Sequence, residues 1–206
     1  MQKEMDALNL LYDRQRKQYQ IARQNVQIIN RKCHELKVQI ADLRRLQPDE
    51  ATTQSLDEAE QAARMYDANA ATGNEVLDVV LTEKSLLCEA QRIRLNCVAD
   101  GTCLAAIEPG DLYALFSNLL DQAIDAAAQQ QNDRRMIDLL VCRRQGFAVI
   151  NVIGPALSGS QSDHGRRHSY ELKVARRVVQ KYSGTMSTEP RGELFAVKIV
   201  MPLTRG

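Results

Sequence analysis

The sequence is short of the residues on which several classes of binding protein depend. Its 206 residues contain no tryptophan and 4% aromatic residues, so stacking on sugars or bases is not expected to carry its function. The 27 basic residues are balanced by 26 acidic ones, which leaves a net charge of +1. A chain without a basic excess or basic blocks lacks the electrostatic signature of direct nucleic-acid binding. No apolar run approaches the roughly 18 residues of a membrane-spanning helix.

Cysteine is also used sparingly. The five cysteines, at positions 33, 88, 97, 103 and 142, are odd in number and include no C-x-x-C pair. This spacing predicts neither a disulfide framework nor a zinc site. It is typical of reduced core thiols in a cytosolic protein.

Glycine is missing from residues 1–72, whereas residues 73–206 contain all ten. The contrast predicts a helical first segment and a mixed α/β second segment. In the first segment, twelve positions follow one another at spacings of three and four, and eleven of them are apolar or aromatic. We call these positions the seam: Met5, Leu8, Tyr12, Gln15, Tyr19, Ala22, Val26, Ile29, Cys33, Leu36, Ile40 and Leu43.

The seam is typical of coiled coils, because one helix alone cannot remove it from water. The helix is predicted to end before Pro48, and a second helix with apolar residues at the same spacing follows. We expect the two helices to form an antiparallel hairpin. Two hairpins are then expected to pair as a homodimeric four-helix bundle.

The second segment predicts a mixture of helices and strands. The expected elements are helices over 75–92, 111–131 and 170–182, strands over 93–98, 136–143, 147–153 and 193–201, and a loop over 154–169. This order predicts an α/β sandwich whose antiparallel-rich sheet is covered on one face by helices. The whole chain is therefore expected to be α+β, a helical hairpin followed by a sandwich.

His34 lies beside the seam, where solvent or a docked domain can reach it. An imidazole can accept a phosphoryl group when a hydrogen bond fixes its tautomer. The adjacent Glu35 is a candidate for that role or for a general base. An ordinary solvated histidine gives the same pattern, so periodicity alone leaves both interpretations open.

Four polar residues recur at helical spacing in the helix over 111–131. They are Asn118, Asp121, Gln122 and Asp125. Because they form one stripe, they could hold hydrated Mg²⁺ and phosphate groups, or simply face solvent.

A third candidate cluster spans His164 to Lys173 and includes His168 and Tyr170. It joins the expected loop to the start of a helix, which is a common position for phosphate binding. A plain surface loop gives the same pattern.

Together these segments resemble the quorum-sensing-type sensor histidine kinases of Gram-positive bacteria. Residues 24–37, which include Cys33-His34-Glu35-Leu36-Lys37, resemble the phosphoacceptor helix of that family. Residues 72–78 resemble the start of its ATP-binding domain, and residues 111–121 resemble its asparagine box with the lead-in. Residues 168–184 resemble its last glycine box. The resemblance extends from about residue 15 to residue 202.

The resemblance implies a dimeric phosphotransfer hairpin over residues 1–72 and a GHKL-type (Bergerat) ATP-binding domain over residues 73–206. It implies that His34, assisted by Glu35, takes a phosphoryl group from ATP and passes it to a response regulator. That regulator is commonly of the LytTR DNA-binding type, so contact with DNA is indirect. The ATP-binding residues implied are Asn118, Asp121, Gln122, Asp125, His168, Tyr170 and Lys173.

The family's membrane sensor is absent before the first helix. We therefore expect a cytoplasmic fragment or soluble variant, held at a membrane only through such a sensor.

Three positions depart from the family pattern. Gln122 replaces the asparagine that binds Mg²⁺, and Ser169 and Glu171 replace two glycines of the last glycine box. Glutamine is one methylene longer than asparagine, whereas Mg²⁺ demands near-ideal octahedral geometry. A carboxylate at position 171 repels phosphate.

These departures keep two alternatives open. The first is a pseudokinase or phosphotransfer scaffold that retains the dimeric hairpin and His34 but cannot use ATP. The second is a coiled-coil dimeriser whose sandwich is only a binding module.

Overall fold

A computed structural model of the chain describes residues 2–45, 50–66, 72–131, 134–156 and 163–203. The helices are α1 Gln2–Arg45, α2 Glu50–Tyr66, α3 Glu75–Ala90, α4 Pro109–Ala128 and α5 Asp163–Lys181, with a short 3₁₀ helix over Gly101–Leu104. The strands are β1 Arg94–Ala99, β2 Met136–Arg144, β3 Phe147–Pro155, β4 Thr185–Arg191 and β5 Leu194–Pro202. Within these ranges, every helix is too short or too polar to cross a membrane.

The strands form one sheet in the order β1-β2-β3-β5-β4. Only the β1–β2 pair is parallel, and the other three pairs are antiparallel. The hairpin between β2 and β3 turns at Gln145 and Gly146, whose φ angles of 47° and 83° are typical of a tight hairpin turn. The predicted antiparallel-rich sheet is therefore confirmed.

Helix α4 lies at the centre of the fold. Sixteen of its 20 residues are buried, and it contacts α1, α3, α5 and the strands β2 and β3. It begins at Pro109, two residues before the predicted start, because proline suits the first turn of a helix.

The predicted loop over 154–169 is wrong at both ends, because β3 and α5 extend into it. The backbone is already helical at Asp163, and β3 extends to Pro155. The later half of α5 is anchored by buried Val174 and Val178. Its first half carries no apolar residues at helical spacing, so the sequence pattern gave no sign of these turns.

The middle of the seam packs against the second half of the chain. Ala22 and Val26 are buried in the same apolar core as the α3 and α4 side chains. The ring of Tyr19 lies 5.4 Å from the ring of Tyr113 on α4, measured between centroids. The Arg23 guanidinium pairs with Glu75 at the start of α3 at 2.7 Å. Part of the seam that was expected to form a bundle is thus buried by this chain's own sandwich.

Helix α2 packs against α1, as expected for a hairpin. The Arg44 side chain of α1 pairs with Asp57 and Glu60 of α2. Cys33, Ile40 and Leu56 are buried along these two helices. A four-helix bundle made by two copies stays a prediction.

A buried polar network joins the start of α4 to the end of α5. The Asp111 carboxylate accepts hydrogen bonds from the Tyr182 hydroxyl and the Lys181 ammonium, each at 2.6 Å. The Tyr182 oxygen in turn accepts the Glu108 backbone N–H at 2.9 Å. Burial and the hydrogen bond to Asp111 raise the pKa of Tyr182.

Tyr182→Phe is expected to destabilise the fold by about 1–3 kcal/mol, because Asp111 loses a donor and the Glu108 N–H loses its acceptor. Urea unfolding measures the difference. Tyr19→Phe is the matched control, since within the described residues the Tyr19 hydroxyl has no hydrogen bond. Equal stability of the Tyr182→Phe variant and the parent chain would contradict the network's role.

Candidate functional site

A cavity of about 270 Å³ lies between α4 and the central strands β3 and β5. Its lining consists of Gln122, Ala123, Ala126, Val152, Gly154, Pro155, Ala156, Phe195 and Val197. The α4 wall is open because its side chains there are small. A methyl group added at Gly154 would meet the Ala123 methyl at 3.7 Å, so helix and strand approach closely at the cavity floor.

The cavity is mainly apolar. Among the described residues that line it, Gln122 is the one polar side chain and none is acidic or basic. Phe195 supplies an aromatic wall. At the rim, the Ala156 N–H donates to the Glu193 carbonyl at 2.8 Å, which fixes the end of β3. Such walls suit a flat, uncharged ring with one polar edge.

Of the four polar stripe residues, the structure brings Gln122 to this cavity. Asn118 is buried, and its amide nitrogen donates to the Ala114 carbonyl at 2.5 Å. Asp121 points instead towards α3, where its carboxylate pairs with Lys84 at 2.8 Å. Asp125 is half-buried and does not line the cavity.

Lys84 is the centre of a second polar cluster, next to a groove of about 480 Å³ between α1 and the sandwich. Its side chain is only 6% exposed. Burial favours the neutral amine, but the charges of Asp121 and Glu83 outweigh it and raise the pKa of Lys84. The Tyr113 hydroxyl donates to Glu83 at 3.0 Å. Burial and Glu83 raise the pKa of Tyr113, so this cluster consists of a fixed cation, two carboxylates and a neutral phenol.

His34 and Glu35 lie on the exposed side of α1, and neither lines the cavity. The Glu35 carboxylate accepts a hydrogen bond from Lys32 at 2.6 Å, with Arg31 at 3.8 Å. The bond from Lys32 is the main cause of the lowered pKa of Glu35. Glu35 is therefore ionised at neutral pH, and the His34 imidazole is open to solvent.

The last candidate cluster lies in α5. The side chains of His168 and Tyr170, like those of Ser169 and Glu171, lie outside the described residues. Lys173 is exposed and does not contribute to the cavity lining.

The cavity walls were not among the predicted site residues. Phe195, Val152 and Val197 are apolar strand residues, and their alternation marks them only as belonging to the inner face of a sheet. The described residues contain no group of three or more histidine, cysteine or acidic side chains that could hold a metal ion. A divalent cation near Gln122 would therefore be coordinated mainly by the phosphates of a bound nucleotide and by water.

Comparisons with known proteins agree on the second half of the chain. Residues 107–202 match the family model of the GHKL domain. No curated protein sequence matches the chain.

Among solved structures, a nucleotide-free form of the catalytic domain of histidine kinase ThkA is similar. It has a TM-score of 0.50 and 16% identity, with 64% of this chain and 93% of that chain covered. A second nucleotide-free form of the same domain has a TM-score of 0.50 and 15% identity, with 65% of this chain and 95% of that chain covered. The Acinetobacter baumannii histidine kinase AdeS has a TM-score of 0.46 and 15% identity, with 83% of this chain and 98% of that chain covered. Residues 107–202 thus match the GHKL domain model, and the sandwich shares the fold of the ThkA catalytic domain.

Proposed function

We propose that this chain is the cytoplasmic part of a two-component sensor histidine kinase of the quorum-sensing type. His34 accepts a phosphoryl group from ATP and passes it to a response regulator, for which the LytTR type is the expected partner. The observation that carries the proposal is a solvent-exposed histidine on a long helix that packs directly onto a GHKL domain.

The cavity supplies the binding half of this function. Phe195, Val152 and Ala126 offer apolar surfaces to a planar base. Bound ATP supplies a transferable γ-phosphoryl group. The resemblance makes the Gln122 amide the candidate for one weak ligand of Mg²⁺.

The α1 surface supplies the accepting half. The ionised Glu35 can hold or receive the imidazole proton of His34 once it exchanges its bond from Lys32. Because the imidazole is exposed, both a GHKL domain and an aspartate of a regulator can reach it. DNA contact is assigned to the regulator, in keeping with the balanced charge of this chain. A membrane link is assigned to a sensor segment preceding α1.

A second candidate function is a phosphotransfer scaffold with a degraded ATP site. The uncharged lining of the cavity favours it, because the described walls offer nothing to neutralise a triphosphate. Such a protein would keep His34 and the hairpin and receive phosphate from a regulator.

An outer stripe of α1 supports pairing of two copies. Ile21 and Ile28 lie beside the seam, and Leu36 and Leu43 belong to it; all four are 48–58% exposed on the solvent side of the helix. Apolar surface of this extent favours association, at roughly 25 cal/mol per Å² removed from water.

Ile28→Lys combined with Leu36→Lys is expected to yield a folded chain that no longer pairs through α1, because both side chains are exposed in the single chain. Sedimentation and circular dichroism check mass and fold. Val38→Lys is the control, as Val38 is 48% exposed but lies away from the stripe. A double variant that remains dimeric through α1 would refute this surface. Val26→Asp is less informative, since Val26 is buried in the chain's own core.

The parent chain is expected to bind Mg-ATP no tighter than the high-micromolar to millimolar range. Gln122→Asn, Ser169→Gly and Glu171→Gly together are expected to tighten binding at least about tenfold, by shortening the metal ligand and removing a charge and a side chain near phosphate. The gain from Glu171→Gly should shrink as salt is raised. Calorimetry measures each step. Gln129→Asn is the matched control at an exposed end of α4. Tight binding by the parent chain would remove the support for the scaffold.

His34 is expected to carry acid-labile phosphate, supplied by ATP for a kinase or by a phosphorylated regulator for a scaffold. His34→Ala should abolish the label, and Glu35→Gln should slow its appearance by about a hundredfold if Glu35 acts as the base. Phosphopeptide mapping and a time course are the measurements. Label that survives His34→Ala, or none from either donor, would exclude both functions.

A further inference from the structure

Strand β1 is an edge of the sheet with an unused row of backbone groups. The Arg94 N–H donates to the Arg135 carbonyl at 2.8 Å, and the Asp100 N–H donates to the Val141 carbonyl at 2.9 Å. The even-numbered residues of β1 therefore face β2. Since backbone groups alternate in a strand, Leu95, Cys97 and Ala99 direct their N–H and C=O groups away from the sheet.

These outward groups have no hydrogen-bond partner among the described residues. The free edge ends at Ala99, because the next outward N–H, that of Gly101, donates to the Thr72 carbonyl at 2.8 Å. Unpaired edge groups are a template for another strand.

The opposite edge of the sheet is protected, whereas β1 is not. Strand β4 contains Pro190, which has no N–H to offer, and the charged pair Glu189 and Arg191. Proline and charges are common means of blocking edge pairing. Strand β1 has no proline, and its Val98 is 70% exposed.

We propose that the β1 edge pairs with the β1 edge of a second copy, antiparallel and centred on Cys97. In this register Cys97 faces the Cys97 of the other copy, and Leu95 faces Ala99. All three outward residues then exchange both of their hydrogen bonds, which joins the two sheets into one. The proposal is independent of the phosphotransfer function.

Charge complementarity selects this register. It sets Arg94 of one copy opposite Asp100 of the other, and the symmetry repeats the pair at the other end. Both side chains are exposed, and Asp100 keeps an extended backbone with ψ 91°. Opposite charges across an antiparallel pair favour it, while like charges oppose it.

Cysteine reactivity gives a direct test. Cys97 is the exposed cysteine, whereas Cys33, Cys88 and Cys103 are buried and Cys142 is half-buried. In the proposed register the two Cys97 Cα atoms are about 5.5 Å apart, a spacing that a short bridging reagent can span. Dibromobimane, which fluoresces when it bridges two thiols, is expected to yield a covalent dimer linked through Cys97 in the native full-length chain. Cys97→Ser should abolish it.

The second arm measures association in the Ile28→Lys, Leu36→Lys background by sedimentation up to high protein concentration. Ala99→Pro removes one outward N–H without touching the bonds to β2, and Arg94→Glu places like charges opposite each other. Each is expected to weaken dimerisation at least about tenfold. Ala99→Val and Arg144→Glu are the matched controls and should dimerise as the background does, with unchanged unfolding midpoints for all variants.

Four results would overturn the proposal, and three of them come from the dimer measurements. The first is a background variant that stays monomeric at all concentrations, and the second is a bridge that maps to cysteines other than Cys97. The third is a dimer whose dissociation constant is unchanged by both Ala99→Pro and Arg94→Glu. A purified chain that stays monomeric but binds an extended peptide of another protein at β1 would also overturn it. Loss of the α1 dimer alone would leave it standing, because the two surfaces are tested separately.

Discussion

Burial of α4 is the constraint on which the rest of the structure depends. Its core side chains, such as Phe116 and Leu120, are fully shielded from solvent, so other elements must cover the helix on nearly every side. The sheet covers one face through β2 and β3, α5 and α3 cover the flanks, and α1 closes the remaining side. The contact of the helix that carries His34 with the sandwich is therefore a result of core formation.

A buried helix also requires a partner for each polar side chain, and this singles out one residue. One oxygen of Asp111 accepts hydrogen bonds from Lys181 and Tyr182, while its other oxygen is buried without a partner among the described residues. Asp121 pairs with Lys84, and Asn118 donates to a carbonyl of its own helix. Within the described residues, Gln122 alone among the buried polar side chains of α4 faces the cavity without a hydrogen bond to the protein. The Gln122 amide is therefore the polar group that a ligand in the cavity would meet.

Local patterns predicted much of the fold, while long-range packing decided the rest. The end of α1 before Pro48 and the β2–β3 hairpin at Gly146 follow from residues close in sequence, and both were predicted well. The start of α5 was missed because its first turns are polar. The orientation of the Asp121 side chain could not be predicted from the helical repeat, which places it next to Gln122. Its orientation depends on the ion pair with Lys84, which lies on another helix. The cavity walls could not be told from core, because apolar strand residues look alike until a cavity forms beside them.

Helix α4 also has a thermodynamic consequence. It presents Tyr113, Ser117 and Asp121 to the α1 groove and Gln122, Ala123 and Ala126 to the cavity. The two sites thus share one rigid element, with adjacent residues serving each. If occupation of the cavity shifts the equilibrium position of α1, then displacement of α1 must shift the affinity of the cavity by the same factor. A change in the position of α1 would then alter the affinity of the cavity for its ligand, and the bound ligand would alter the position of α1 to the same extent.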